Sequence, residues 1–368
     1  MNNISENKLN NFVKKKKFKN ILIITGKKSF KFSGFKKLTI YKNFKSIIKI
    51  FYKKKRIPEI NELNFLIKKI NNVRPDLIIA LGGGCAIDYA KLANSLHNIT
   101  NPKNKILNKR LKLNSRKTKI LAIPTTAGSG AEVTRFSVIY INKKKYSIED
   151  NLLRPNFFSL IPKLVINSPR IVKAASGFDA IAQAAEAIFS KKANLRSLKY
   201  SSKSLRISTK NFLGFVNSSS LYNAASMLKA ANFSGMAINI AKTNAPHALS
   251  YLFTSKYRVP HGIAVSLFFV EIFNLYYSTA LKTKNMNLIK KFHLFFRLIK
   301  KKNISEFNNF FKKLLSKSKI QKDIDKFLKN VKYQKNFNLF INSSRLKNSP
   351  IKIYKKDVTR LYLNKFNI

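Results

Sequence analysis

The sequence predicts an α/β fold, with a parallel sheet in the first half of the chain and an all-helical second half. Short apolar runs of β type alternate with helical patterns in the first half. From about Ser168 the chain becomes Ala-rich and then Lys-, Phe- and Leu-rich at helical spacing. With 368 residues it is long enough for two cores. We therefore predict two domains, residues 1–167 and 168–368.

The predicted strands share one property, which is that each ends at a glycine or proline turn. They are Asn20–Thr25 before Gly26, Asp76–Leu81 before Gly82, and Lys119–Ile123 before Pro124. Strands that alternate with helices form parallel sheets, whose ligands bind at the carboxyl ends of the strands. All of these turns are expected at that edge, which makes the first domain Rossmann-like and suited to a dinucleotide.

A glycine turn follows the second strand and opens a helix in the segment GGGCAIDYAK, residues 82–91. Gly82, Gly83 and Gly84 have no side chains and would let backbone N–H groups approach a pyrophosphate at the helix N-terminus. The same pattern also occurs where glycines only join a strand to a helix. Asp88 is a further candidate for the cofactor site, or alternatively a cap of the helix.

A second polar loop follows the third strand in the segment PTTAGSGAEVT, residues 124–134. Thr125, Thr126 and Ser129 supply hydroxyls that can bind phosphate or carboxamide groups. Polar glycine-rich loops are often only loops. Two such loops at one sheet edge favour a cofactor site.

The helical half contains candidate metal ligands. Asp179 and Gln183 are four residues apart in a helical pattern and therefore share a face. His247 and His261 each follow a proline. Two imidazoles and a carboxylate suit Fe²⁺ or Zn²⁺, with the Gln183 amide oxygen as a weak fourth ligand. Spacing alone leaves open whether these side chains converge.

The composition bears on partners and compartment. A net charge of +58 could attract nucleic acid, but the lysines are spread over the whole chain, so we expect no specific nucleic-acid partner. Cys85 is the only cysteine, which excludes an intramolecular disulfide and fits a reducing compartment. The apolar run Ile263–Leu281 contains Glu271 and Asn274 and predicts a buried helix. We expect a cytoplasmic protein without a membrane partner.

Two lysine-rich stretches are predicted as surface structure. Residues 102–118 are expected to form a solvated loop, and residues 282–335 amphipathic helices whose basic faces meet water.

In this order, the four segments resemble those of the iron-containing, or group III, alcohol dehydrogenase family. GGGCAIDYAK is similar to its GGGSxxDxAK loop and PTTAGSGAEVT to its PTTAGTGSEVT loop. GFDAIAQAAEA is similar to its DAxxHAxEA helix, and PHALSYLFTSKYRVPHG to its HAxxHxxGxxxxxPHG segment. The resemblance spans almost the whole chain and implies the architecture shared by these dehydrogenases and dehydroquinate synthase-like proteins.

The resemblance implies roles for individual residues. Gly83, Gly84 and Cys85 would bind the pyrophosphate of NAD or NADP, and Thr125 and Thr126 would contact the cofactor. Asp179, Gln183, His247 and His261 would occupy the metal positions, with His261 also catalytic. Three departures stand out, because Cys85 replaces the usual serine, Gln183 a usual histidine, and Tyr251 a second histidine near the nicotinamide. Tyr251 or a water is the candidate proton donor.

Further segments resemble the phosphonoacetaldehyde reductase subgroup, among them AKTNAPHALSYLFTSKY and RLKNSP. This resemblance implies reduction of an aldehyde, most specifically phosphonoacetaldehyde, to an alcohol, with a homodimer as a compatible assembly. The alternatives are a group III enzyme acting on a plain alcohol or hydroxyaldehyde, a dehydroquinate-synthase-like lyase, and a basic nucleic-acid-binding protein. Many family members carry an acid just after the first strand, where this chain has Lys27 and Lys28. The missing carboxylate predicts that NADPH is accepted at least as well as NADH.

Overall fold

The computed structural model describes residues 2–218, 220–329, 341 and 343–366. The chain divides into two compact units, Met1–Ser168 and Pro169–Ile368. The first is an α/β unit and the second is helical, which confirms the predicted fold class.

The first unit is built on a parallel sheet, and its strands within the described residues are β1 (Asn2–Asn3), β2 (Ile21–Gly26), β3 (Ile48–Lys53), β4 (Leu77–Gly82), β5 (Lys119–Pro124) and β8 (Phe157–Phe158). They pair in the order β1-β8-β5-β4-β2-β3. The three predicted strands are confirmed as β2, β4 and β5, which lie side by side. They are continuously apolar and buried because helices cover both faces of a parallel sheet.

The sequence analysis missed the two-residue strands β1 and β8, and also three longer strands. Strand β3 lies at the sheet edge and is only partly buried. Because an edge strand can carry lysines, its sequence lacks the continuous apolar run that marks the central strands. Strands β6 (Phe136–Ile141) and β7 (Lys144–Glu149) form an antiparallel hairpin. Its turn residues Asn142 and Lys143 have φ of 50° and 62°, as a two-residue hairpin turn requires, but without the glycine that usually marks it.

The helices of the first unit are α1 (Leu9–Lys15), α2 (Lys27–Ser33), α3 (Thr39–Phe44), α4 (Ile60–Val73), α5 (Gly84–Ser95) and α6 (Pro102–Leu107). Helix α5 follows β4 directly, as predicted. Helix α6 corrects the predicted loop over residues 102–118, since the first six of them are helical. Pro102 occupies the first turn, where a missing N–H costs nothing, and Ile106 is buried.

In the second unit the regular elements formed by the described residues are helices. They are α7 (Arg170–Phe189), α8 (Leu195–Asn217), α9 (Leu221–Ala241), α10 (Ala245–Ser255), α11 (His261–Lys282), α12 (Met286–Leu298), α13 (Ile304–Lys317), α14 (Ile320–Leu328), α15 (Ser343–Lys347) and α16 (Lys355–Phe366). The amphipathic helices expected over residues 282–335 are present as α12 to α14. Residues 330–335 lie outside the described part of the chain.

Helix α11 contains the apolar run that the sequence predicts as a buried helix. Among the described residues it is the one helix that meets the length and composition of a membrane span, and 61% of its most apolar window is buried inside the protein. It packs against α7, α10 and α12, with Phe268, Phe269 and Phe273 in the core.

Gly262, in the first turn of α11, lies very close to the backbone of a neighbouring helix. A Cβ atom at this position would lie 1.8 Å from the carbonyl oxygen of Ala175 and 3.1 Å from the backbone nitrogen of Asp179, both on α7. Only glycine therefore allows α11 to begin against α7. This contact brings His261, the neighbouring residue, next to Asp179.

We expect Gly262→Ala to destabilise the protein by on the order of 3 kcal/mol, because the added methyl group forces α11 away from α7. Urea unfolding followed by circular dichroism measures this change. Gly26→Ala is the matched control, since its Cβ would lie 3.6 Å from the nearest atom, an ordinary contact. Equal stability of the two variants would contradict the role given to Gly262.

Candidate functional site

The glycine turn lies at the carboxyl end of β4, where α5 begins. Gly82 has a φ of 151°, which side-chain-bearing residues rarely adopt. Gly84 is the first residue of α5, and the first helical hydrogen bonds run from Ala86 and Ile87 to the oxygen of Gly83. The N–H groups that open such a helix are free for an anion.

The second loop packs directly against this turn. The N–H of Thr125 donates to the oxygen of Gly82 at 3.1 Å. Cβ atoms added to Gly83 and Gly84 would lie 3.1 Å from Thr126 Oγ1 and 2.9 Å from Ser129 Oγ, respectively. The two predicted loops thus form one cradle with hydroxyls on one wall and helix N–H groups on the other. A Cβ atom on the glycines would fill this cradle, which fits a phosphate-bearing cofactor.

Cys85 and Lys53 lie beside each other at the same sheet edge. Burial raises the pKa of the Cys85 thiol to about 12, although the Lys53 ammonium opposes the shift, so the thiol stays neutral at physiological pH. Lys53 ends β3 and pairs in register with Gly26, the last residue of β2. The sequence analysis missed Lys53 because it missed β3. Lys27 and Lys28 follow Gly26 and are exposed in the first turn of α2.

The side chain of Asp88 is hydrogen-bonded to the β6–β7 hairpin. Its carboxylate accepts the N–H of Val138 on β6 at 3.1 Å. The alternative that Asp88 caps α5 is therefore wrong, and the helix has no side-chain cap. Burial raises the pKa of Asp88 to about 6, against the opposing charge of Lys91.

Three of the predicted metal ligands converge in the helical unit. Asp179 on α7, His247 in the first turn of α10 and His261 at the start of α11 offer ligand atoms that all lie within 4.8 Å of one another. His247 Nε2 is 3.1 Å from Asp179 Oδ1. Two imidazole nitrogens and one carboxylate oxygen form a donor set that fits Fe²⁺ or Zn²⁺. Tertiary packing thus settles the convergence that the spacing left open.

Gln183 touches the same cluster through hydrogen bonds. Its Nε2 donates to Asp179 Oδ2 at 3.0 Å, and its Oε1 accepts from the hydroxyl of Ser234 at 3.1 Å. The expected ligand oxygen therefore faces α9, and the amide group holds the Asp179 carboxylate in place.

Glu186 is a site residue that the sequence analysis missed. Its carboxylate is fully buried, and it binds His247 Nδ1 and the backbone N–H of Asn244. Burial by itself favours the neutral ring, but Glu186 and Asp179 more than offset it and raise the pKa of His247 to about 10. The signal was present in the sequence, since Glu186 follows Asp179 by seven residues and shares its helix face.

Two further side chains surround His261. The hydroxyl of Thr254 lies 3.3 Å from His261 Nδ1. The ring of Tyr251, the candidate proton donor, has its centroid 6.3 Å from that of His261. Both residues lie on α10, Tyr251 one turn and Thr254 two turns after His247.

Two features characterise the chain, a glycine turn at the carboxyl edge of a parallel sheet and a cluster of one carboxylate and two histidines on helices. The family models agree. Residues 2–162 match the iron-containing alcohol dehydrogenase model, and residues 173–366 match the C-terminal model of the Fe-containing alcohol dehydrogenase family. The chain belongs to the iron-containing alcohol dehydrogenase family, which uses NAD(P) and a divalent metal.

The chain is similar to characterised relatives. It is 32% identical over 225 residues to 4-hydroxybutyrate dehydrogenase of Clostridium kluyveri, covering 60% of either chain. It is 29% identical over 209 residues to phosphonoacetaldehyde reductase of Streptomyces viridochromogenes, covering 54% of this chain and 53% of the relative. The matches thus span little more than half the length of these relatives.

A solved structure supports the fold over the full length. Sulfoacetaldehyde reductase from Bifidobacterium kashiwanohense, in complex with NAD⁺, superposes with a TM-score of 0.82 at 18% identity, covering 100% of this chain and 97% of that chain.

We expect Glu186→Gln to weaken Zn²⁺ binding by about 10- to 100-fold, because His247 Nδ1 loses its charged partner and the ring loses basicity. Competition of the purified protein with a chelator measures the affinity. Glu271→Gln serves as the control, since Glu271 pairs with Lys365 on the same unit, at the surface. Unchanged Zn²⁺ affinity in folded Glu186→Gln would show that Glu186 does not support the site.

Proposed function

We propose that the protein reduces a small aldehyde bearing an anionic group to the corresponding alcohol, using NAD(P)H. The specific substrate proposed is phosphonoacetaldehyde, with 2-hydroxyethylphosphonate as the product. The observation that carries the proposal is the convergence of Asp179, His247 and His261. It is supported by the cradle at the glycine turn, where the hydroxyls of Thr126 and Ser129 lie against Gly83 and Gly84.

The bound cofactor and metal would supply the reactive chemistry, and the side chains of the protein would hold them. When bound, the nicotinamide supplies a hydride, and the divalent metal polarises a carbonyl oxygen. Asp179, His247 and His261 hold the metal. Glu186 occupies His247 Nδ1, so that Nε2 is the nitrogen left to face Asp179.

Reduction of an aldehyde also requires a proton on the new alkoxide oxygen. Tyr251 is our proposed donor, since its ring lies beside that of His261 and the side chain is 6% exposed. A water molecule is the alternative donor.

An anionic substrate is supported by the names of the relatives. 4-Hydroxybutyrate, phosphonoacetaldehyde and sulfoacetaldehyde each carry an acidic group on a short carbon chain. The net charge of +58 would raise the local concentration of such anions. A similar relative, the 1-propanol dehydrogenase of Citrobacter freundii, favours a plain alcohol as the second candidate.

A direct assay separates these substrates. NAD(P)H consumption is measured with phosphonoacetaldehyde, acetaldehyde and lactaldehyde, each with and without added Fe²⁺ or Zn²⁺. The proposal expects kcat/KM for phosphonoacetaldehyde to exceed that for acetaldehyde by about tenfold or more. Equal values for the two would favour a plain aldehyde or alcohol as substrate, and no oxidation with any of them would overturn the enzyme assignment.

We further propose a cytoplasmic location, since the single cysteine suits a reducing compartment. A homodimer is the proposed assembly, and light scattering of the purified protein tests it.

Removal of one imidazole ligand tests the metal site. His261→Ala is expected to lower kcat/KM by about 100-fold or more and to reduce bound metal, because a single imidazole then remains in the cluster. Metal analysis and NAD(P)H consumption measure the two effects, and circular dichroism checks the fold. His293→Ala is the control, an exposed histidine on α12. Full activity of His261→Ala would refute the metal assignment.

The end of β2 generates a prediction about the cofactor. We expect NADPH to be used at least as well as NADH, since no carboxylate stands after Gly26 to repel a 2′-phosphate. Lys53, paired in register with Gly26, is the cation best placed to attract that phosphate. Lys53→Met should therefore raise KM for NADPH by about tenfold while changing KM for NADH less.

Steady-state kinetics at matched, moderate salt provide the measurement, because low salt exaggerates surface attraction. Lys27→Ala and Lys28→Ala test the two exposed lysines of α2 as alternative contacts. A preference for NADH that persists in all three variants would show that the missing acid does not set cofactor choice.

A further inference from the structure

Helix α5 carries a lysine that neither the proposed cofactor site nor the proposed metal site uses. Lys91 lies about two turns after the glycine turn, and its side chain is fully buried. Its ammonium donates to Thr134 Oγ1 at 3.1 Å and to the carbonyl oxygen of Phe136 at 3.0 Å. Thr134 is the last residue of the second loop, and Phe136 begins β6.

Two carboxylates accompany this ammonium group. Burial lowers the pKa of Lys91 to about 8, against the opposing charges of Asp88 and Glu132. Glu132 is itself buried, and Asp88 holds the N–H of Val138 on β6. Placing such charges in the interior is costly unless they are paired and hydrogen-bonded, so the cluster is expected to have a specific task.

The cluster fixes one end of the cradle loop. At its start the loop is held by β5 and by the bond from Thr125 to Gly82. At its end Lys91 holds Thr134, and just beyond the loop Asp88 holds Val138 of β6. Both residues lie on the helix that begins with Gly84. Ser129, which packs on Gly84, lies between these two anchors.

We propose that Lys91 and Asp88 are positioning residues for the cofactor. They clamp the end of the second loop and the start of β6 to α5 and so set the distance between the loop hydroxyls and the glycine turn. Neither residue is assigned a contact with the cofactor itself. This inference rests on the proposed function, because it presupposes that the cradle binds NAD(P)H.

The first test is Lys91→Met, which removes the charge and both hydrogen bonds with little change in volume. The Kd for NAD(P)H, measured by fluorescence, is expected to rise by about tenfold. The Kd for Zn²⁺ at the helical unit should stay within about twofold of wild type. Lys173→Met is the matched control, another largely buried lysine but one on α7 with Phe215 beneath its ammonium. It should leave the Kd for NAD(P)H unchanged.

A second variant separates a charge clamp from simple packing. In Lys91→Met the half-buried carboxylate of Asp88 and the buried carboxylate of Glu132 lose the ammonium of Lys91. Asp88→Asn in the same chain removes one of these charges and keeps an acceptor for Val138. The double variant should therefore bind NAD(P)H more tightly than Lys91→Met alone, by about threefold or more. Loss of packing alone would make the double variant the weaker of the two.

The outcomes distinguish the clamp from the proposed function. Wild-type protein that fails to bind NAD(P)H would overturn the proposed function, and the cofactor role of the clamp with it. Normal wild-type binding with an unchanged Kd in Lys91→Met would overturn the clamp alone. If Lys91→Met does not fold, Asp88→Asn as a single variant provides the test, with an expected rise in the Kd for NAD(P)H and wild-type affinity for Zn²⁺.

Discussion

The interaction on which the helical unit depends is the contact of His247 with two buried carboxylates of α7. Asp179 and Glu186 lie on one face of a helix otherwise dominated by alanine, where an unpaired charge would be strongly destabilising. His247 bonds to one of them through each ring nitrogen. The raised pKa of His247 favours protonation of both ring nitrogens, so that one imidazolium ring satisfies both carboxylates and fixes α10 against α7. Nε2 is the nitrogen that faces the ligand cluster.

The residues that depart from the family pattern differ in how they affect the two candidate sites. Gln183 keeps a polar group next to Asp179, but its hydrogen bonds to Asp179 and Ser234 make it a support of the cluster. Cys85 loses the hydroxyl of serine and stays a neutral thiol beside Lys53. The cradle therefore relies on backbone N–H groups and the loop hydroxyls, which the substitution leaves in place.

Each unit brings residues from distant segments of the chain together at one point, but the structural element responsible differs. In the α/β unit the parallel sheet does this, because its strands end at a common edge. In the helical unit, Gly262 allows α11 to start against α7. In the helical unit the arrangement depends on a backbone approach that a larger residue would prevent.

The sequence by itself determined the fold class, the strands β2, β4 and β5, and the types of residue in both candidate sites, because apolar periodicity and glycine turns are local signals. Tertiary structure decided which side chains meet. The convergence of His261 with Asp179, the partners of Glu186 and Lys91, and the place of Lys53 beside Gly26 all join residues far apart in the chain. Spacing along one chain carries no measure of such distances, which packing alone fixes.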